Sequence, residues 1–358
     1  MIKIDGSQGE GGGQILRTAL ALSACTGQVF LIENIRAGRR KPGLMRQHLS
    51  CVHAVQQVCA AEIEGDAISS QTLRFVPGQV KSGEYHFAVG SAGSAMLVLQ
   101  SVLPPLLLTG KPSQLILEGG THNPMSPPFH FIAEVFVPTI AKIGFNCSCE
   151  IERWGFYPAG GGRISVSILP TAARLQKIDL CTPGQFSGSS VLAAVSKIPW
   201  EIAEDECNTV VNAADFEVVH KQALTVDSPG PGNVVMLRLD YKNTRAMFCG
   251  FGELGVSRKK VASAVYREAN RFFKSGAAVD LHLADQLLLP MALAGGGAYT
   301  TTEPTQHTRT NMKIIEMFLP VSHEISQIDA KLWKLQVESK KSASDKNVSR
   351  ETFDTRIG

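Results

Sequence analysis

One order of elements recurs along this chain, and it restricts the fold more than any other feature. Residues 2–5 read as a short strand, followed by a glycine-rich turn and an apolar-periodic helix over about 14–25 that Gly27 ends. A strand over 29–35, a basic loop, a helix beginning after Pro42 and a strand over 72–76 follow. The order then repeats: a strand at 85–89, a glycine turn and helix, a strand at 114–118, a helix over about 129–142 ending at Gly144, and strands at 145–152 and 163–169. A third version begins near Lys177 and resumes at Val279, with one helix in LADQLLLPMALAGGG and another in HTRTNMKIIEMFLP. Three β-α-β-α-β-β units with glycines at matching helix starts predict an internal triplication within an α/β (α+β) fold.

The third unit is interrupted over about 182–276. That stretch has its own strand at 188–195, a helix at about 200–213, two strands flanking Lys242-Asn243, and a helix for which Ser257 is the expected N-cap. Roughly 95 residues can bury a core of their own. The expected organisation is therefore a large domain of three repeats, 1–181 and 277–338, with an inserted small α/β domain, 182–276. Residues 339–358, polar and poor in aromatics, read as a disordered tail.

Composition sets the class. Apolar residues make up 44% and charged residues 19% of the 358, enough for a sizeable core. A net charge of only +3 does not fit a protein coated in nucleic acid, although local basic clusters remain suited to holding one RNA end. The eight cysteines include no CxxC pair, which leaves a tetrahedral zinc site without support. No signal-peptide pattern opens the sequence, and its most apolar stretch, 96–108, is too short to cross a bilayer and contains Pro104 and Pro105. The expectation is a soluble, cytoplasmic protein with no membrane partner; a nuclear location fits the same absence of signals.

Several clusters have chemical potential. Gly9-Glu10-Gly11-Gly12-Gly13-Gln14 leads into a helix, so its backbone N–H groups can face an anion at the positive helix end. Glu10 there suits a metal ion that would join it to phosphates; a tight turn with an exposed Glu is the plainer reading. The run is neither a P-loop nor GxGxxG. Arg36, Arg39, Arg40, Lys41, Arg46 and Gln47, with Arg17 one turn into the first helix, form either a phosphate cradle or a solvated loop. The proline loop 121–131 offers flat apolar walls for a base, or packs into the core. His307 opens a helix, as a capping partner or as a nucleophile kept neutral by the helix N-terminus. Asp285 and Gln286 could bind a ribose, a metal or the imidazole, or start a helix.

Taken together, GEGGGQILRTALALSACTG, RAGRRKPGLMRQH, SAGSAMLVLQSVLPPLL, EGGTHNPMSPP, GFYPAGGG, ADQLLLPMALAGGG and QHTRTN resemble the RNA 3'-terminal phosphate cyclase family over most of the chain. The resemblance implies three repeated β/α units with a late insertion. It implies ATP as cofactor with Mg2+ (or Mn2+), and RNA with a 3'-terminal phosphate as partner. It also implies an enzyme of ligase type: His307 is adenylylated, the AMP moves to the RNA 3'-phosphate, and the 2'-hydroxyl closes a 2',3'-cyclic phosphodiester. By motif, Glu10 would hold the metal. Gln100, Pro127, Phe131 and the run His282, Leu283, Ala284, Asp285, Gln286 would form the ATP pocket, with Pro127 and Phe131 against adenine. Arg17, Arg36, Arg39 and Gln47 would hold RNA phosphates. The family commonly has a tyrosine where this chain has His282. Two other readings are a non-catalytic ribosome-assembly relative of the same superfamily and an enolpyruvyl transferase; the histidine and the intact GEGGGQ turn argue for the cyclase.

Overall fold

Each repeat alternates apolar residues on its strands and gathers them on one stripe of its helices, so each sheet must cover its apolar face with its own helices. The computed structural model describes residues 1–9, 11–171 and 174–340. In the first unit β1 (Ile2–Asp5), α1 (Gly13–Thr26), β2 (Phe30–Glu33), α2 (Arg46–Cys59), β3 (Glu62–Glu64) and β4 (Leu73–Val76) form a sheet of order β1-β2-β4-β3. The second unit runs β5 (Glu84–Ala88), α3 (Ala95–Leu107), β6 (Ser113–Gly119), α4 (129–141), β7 (Cys147–Arg153) and β8 (Gly162–Ile168), with sheet order β5-β6-β8-β7. The middle of α4, Ile132–Phe136, is a π-helical turn.

The third unit starts with β9 (Ile178–Leu180) and is then interrupted by β10 (Phe186–Ser196), α5 (Glu201–Ala213), β11 (Val218–Thr225), β12 (Gly232–Tyr241), β13 (Arg245–Phe251) and α6 (Arg258–Phe273). It resumes with α7 (Leu281–Leu293), β14 (Gly296–Thr301), α8 (Gln306–Phe318), β15 (Val321–Gln327) and β16 (Trp333–Ser339). Its sheet order, β9-β14-β16-β15, reproduces the other two. In every unit the first two strands pair in parallel across a helical crossover and the remaining pairs are antiparallel. The triplication expected from the order of elements is therefore present as identical sheet topology.

The insertion forms a separate sheet, β11-β10-β12-β13, with a core of its own that includes Val191, Val195, Cys207, Val235, Leu237, Phe248, Val265 and Phe272. Its other face meets the main core through Ala194, Val234, Met236 and Met247. Ser257 caps α6 as expected, its side chain accepting from the Lys260 N–H. Ser339 and Lys340, the first residues of the expected tail, are ordered into the third sheet's surroundings. Ser339 completes β16, its hydroxyl donates to the Gly295 carbonyl at 3.0 Å, and the Lys340 N–H donates to the Pro320 carbonyl at 2.7 Å. Sequence polarity misses this because a strand with one covered face needs only alternate apolar residues, here Leu335 and Val337, even when it is paired on both sides. Residues 341–358 lie outside the described residues.

Helix α1 occupies the centre of the three units. Nine consecutive or near-consecutive residues from Ile15 to Ala24 are buried, and it packs against α2, α3 and α8. It stops at Gly27, whose φ of 70° is left-handed and whose N–H returns to the Ser23 carbonyl at 2.9 Å. The eight cysteines are all unbridged thiols. No helix among the described residues is long and apolar enough to cross a membrane.

The insertion also buries a carboxyl. Glu206 on α5 is fully shielded; Oε2 accepts from Asn233 Nδ2 at 2.7 Å, while Oε1 has no hydrogen-bond partner among the described residues. Burial pushes its pKa from 4.5 up to about 7, against the opposing pull of Asn233 and Arg258. Because the folded value lies above the unfolded one, its burden on stability is absent below pH 4.5 and grows as pH rises to about 7. Glu206→Gln should therefore be more stable than the parent above neutral pH and equal to it in acid. Urea midpoints of the two proteins across that range would test this, and parallel curves would refute it.

Candidate active site

Where the three units meet, α1, α3, α4, α7 and α8 leave a cleft. It is lined by Gln14, Arg17, Thr18 and Ala21 of α1, Leu99, Gln100, Leu103 and Pro104 of α3, and Ile132 and Phe136 of α4. Asp285, Gln286, Leu289 and Pro290 of α7 and Asn311 of α8 complete it. Apolar walls with a few convergent polar groups are the ordinary lining of a small-molecule site. Pro104 and Pro290 sit inside their helices four residues after Gln100 and Gln286. Each removes the N–H that would have bonded the glutamine's main-chain carbonyl. The Gln286 side chain also holds a shielded Oε1 with no hydrogen-bond partner among the described residues.

At one edge of the cleft a chain of side chains joins units one and three. His307 sits one residue into α8, whose N-cap Thr305 accepts from the Thr308 N–H at 3.2 Å. His307 Nδ1 is hydrogen-bonded to Gln14 Oε1. Gln14 Nε2 lies 2.6 Å from each oxygen of Asp285. Asn311 Nδ2 donates to Asp285 Oδ1 and to its main-chain carbonyl, both at 3.1 Å, and the Thr18 hydroxyl donates to Asn311 Oδ1 at 2.8 Å. Burial pushes the Asp285 carboxyl up; the hydrogen bonds of Gln14 and Asn311 and the charges of His307 and Arg17 pull it back.

The three units differ at the start of their first helix. In α1 the N-cap is Gly12, which offers no side-chain cap. In α3 the Ser94 N–H donates to Gln47 Oε1 at 2.6 Å and the Ala95 N–H to the Gly120 carbonyl at 2.9 Å. In α7 Asp280 accepts from the N–H groups of His282 and Leu283 at 2.9 and 3.0 Å. Two of the three positive helix ends are thus closed by the protein's own oxygens. Beside the α1 start, His48 accepts from the Met45 N–H through Nδ1 at 3.0 Å. Burial, with Arg36 and Arg17, pushes its pKa down to about 4, so it is neutral at physiological pH. A Cβ on Gly13 would lie 2.3 Å from His48 Nε2, which is why glycine is required there.

The residues singled out in the sequence fall into groups. Gln100, Asp285, Gln286 and Arg17 line the cleft together. His282 is exposed, one turn before Gln286 on the same face of α7, at the mouth. Pro127 is half-buried in its loop outside the lining, and Phe131 is buried in the main core. Leu283 and Ala284 are fully buried, because helical phase turns them towards the core whenever Asp285 and Gln286 face the cleft. Arg36 donates to the carbonyls of Lys41 and Gly43 at 2.7 and 2.9 Å and shapes the basic loop, on which Arg39 is exposed. Gln47 is engaged through both ends of its amide with Ser94. Glu10 lies outside the described residues. Among the described residues no group of three His, Cys, Asp or Glu side chains gathers to hold a metal. Gln14, Thr18, Asn311 and His48 were not singled out in advance. Gln14 and Asn311 sit within quoted motifs, but only the fold brings them to Asp285, 271 and 26 residues away.

The family model described as RNA 3'-terminal phosphate cyclase matches residues 8–325. The chain belongs to that family. It is 47% identical over 328 residues to the RNA 3'-terminal phosphate cyclase of Koribacter versatilis, covering 91% of this chain and 92% of the relative. It is 45% identical over 322 residues to the protein of the same name from Salmonella typhimurium, covering 90% and 94%. The solved structure of the enolpyruvyl transferase NikO from Streptomyces tendae aligns at a TM-score of 0.36 and 9% identity, over 93% of this chain and 47% of that one, which carries no argument.

The buried links of the network should also hold the fold. Asn311→Leu removes two donors from Asp285 and leaves the Thr18 hydroxyl unpaired, which should cost about 1–3 kcal/mol. Urea unfolding reads this directly; an unchanged midpoint would show that the network adds nothing to stability.

Proposed function

We propose that this chain is an ATP-consuming RNA 3'-terminal phosphate cyclase that works through a histidine-linked AMP. The observation that carries the proposal is His307, set at a helix start by Gln14 on the rim of a mixed apolar and polar cleft, in a chain 44–47% identical to proteins named as that enzyme. In the first step the His307 imidazole attacks the α-phosphorus of ATP, forming an N–P bond as pyrophosphate leaves. A phosphoramidate of this kind is a reactive adenylyl donor. In the second, an oxygen of the RNA 3'-phosphate displaces the histidine, giving a mixed anhydride with AMP. In the third, the adjacent 2'-hydroxyl attacks that phosphorus, loses its proton, and AMP departs, leaving the 2',3'-cyclic phosphodiester. Proximity favours this last step, because the hydroxyl already lies beside the activated phosphorus.

The cleft suits a nucleotide. Leu99, Leu103, Ile132, Phe136 and Leu289 offer apolar surface, and the unpartnered Gln286 Oε1 offers an acceptor to a base amino group. His282 at its mouth, with Pro127 and Phe131 on the neighbouring loop and helix, completes the proposed ATP site. Arg17, Arg36 and Arg39 supply positive charge for the RNA phosphates, with Gln47 fixing the α3 start beside them. Magnesium, or manganese, would offset charge on the triphosphate, with Glu10 as its protein ligand. A Mg2+ that arrives with phosphates needs only one or two carboxylates from the protein. The three-repeat body, 1–181 and 277–338, would carry the chemistry and the 182–276 insertion would flank it. A cytoplasmic location accords with such a reaction.

Incubation with ATP labelled at the α-phosphate should leave acid-labile label on the protein, and His307→Ala should abolish it. An RNA bearing a 3'-phosphate should then discharge the label as its cyclic end appears. A wild type that stays unlabelled with every divalent metal would refute the mechanism; label persisting on His307→Ala would move the nucleophile elsewhere.

A further inference from the structure

The geometry points to Gln14 as the residue that fixes which nitrogen of His307 attacks, acting as a neutral spacer between the imidazole and Asp285. This deepens the adenylylation reading above and rests on it for its catalytic meaning. Asp285 accepts Gln14 Nε2 at 2.6 Å through both oxygens, so the amide orientation is imposed: its NH2 group must face the carboxylate. The other end of the same amide, Oε1, is the atom hydrogen-bonded to His307 Nδ1. A carbonyl oxygen can only accept, so Nδ1 must carry the proton, and the in-plane lone pair of the neutral ring resides on Nε2. Asn311, itself held by Thr18, fixes the carboxylate from its far side. The tautomer of a residue on α8 is thereby dictated from α1 and α7.

An amide in this place does something a carboxylate would not. A carboxylate directly on Nδ1 would orient the ring equally well, but it would also stabilise the imidazolium, whose nitrogens are both protonated and cannot attack phosphorus. Gln14 passes on the orientation and sets its own neutral amide between the ring and the Asp285 carboxylate. It acts as a positioning residue, and Asp285 acts through it.

The test uses the whole protein with 15N-labelled histidine. At mildly alkaline pH the wild-type His307 signals should show Nδ1 protonated and Nε2 bare. Gln14→Met keeps the bulk and removes both hydrogen bonds; it should shift those signals towards a mixture of tautomers. It should also slow label uptake from ATP by ~100-fold or more, the scale of a misplaced tautomer, with the KM for ATP changed less than about threefold. A urea midpoint of Gln14→Met close to that of the wild type guards against reading a folding defect as a tautomer effect. A proton on Nε2 in the wild type, or an unchanged tautomer and rate in Gln14→Met, would overturn the assignment. A wild type with the expected signals that never takes label would sink the adenylylation reading alone and leave the tautomer assignment standing.

Discussion

The rest of the structure depends on the burial of α1 among helices from all three units. Each unit is a sheet of four short strands with an apolar face that must be covered by helices. The shared solution is to pack helices across units, so that α1 lies against α3, the first helix of unit two, and α8, the second helix of unit three, as well as against its own α2. The cost of that arrangement is that α1 can bear polar side chains only near its start, where it emerges at the cleft. Gln14, Arg17 and Thr18 occupy that short stretch, and Thr18 is already buried.

From this follows the position of the chemistry. Equivalent helix starts recur in each repeat, yet Gln47 and Gly120 occupy the second and Asp280 the third. The first has glycine where the others have a cap. A symmetric scaffold thus yields one asymmetric site, and the difference lies in a handful of capping atoms rather than in the topology.

Much of the architecture was legible in the sequence because a period-2 or period-3.6 pattern is local, and a thrice-repeated order strengthens each weak segment. Ser257 as a cap and Gly27 as a stop were readable for the same reason. Ser339 was not, since a strand with only two inward residues resembles a polar tail. Within the site, His307, Asp285, Gln286 and Gln100 stood in motifs, whereas the partnership of Gln14 with Asp285 had no local signature. Nor did the burial of Leu283 and Ala284 follow from the motif; it is helical phase, set by which face of α7 meets the core, that separates them from their neighbours. Gln47 had no such signature either: its amide bridges to Ser94 in another repeat, a partnership that only the fold reveals.

The hydrogen bond between Gln14 and His307 closes over a sequence separation of 293 residues. During synthesis the glycine turn, the basic loop and most of the cleft leave the ribosome before the histidine that faces them has been made. A nascent chain therefore cannot complete the side-chain network at the edge of the cleft before α8 has been made and docked. Chains cut short before α8 would keep most of the cleft lining and lack both His307 and Asn311. The network thus closes only when nearly the whole chain has been made.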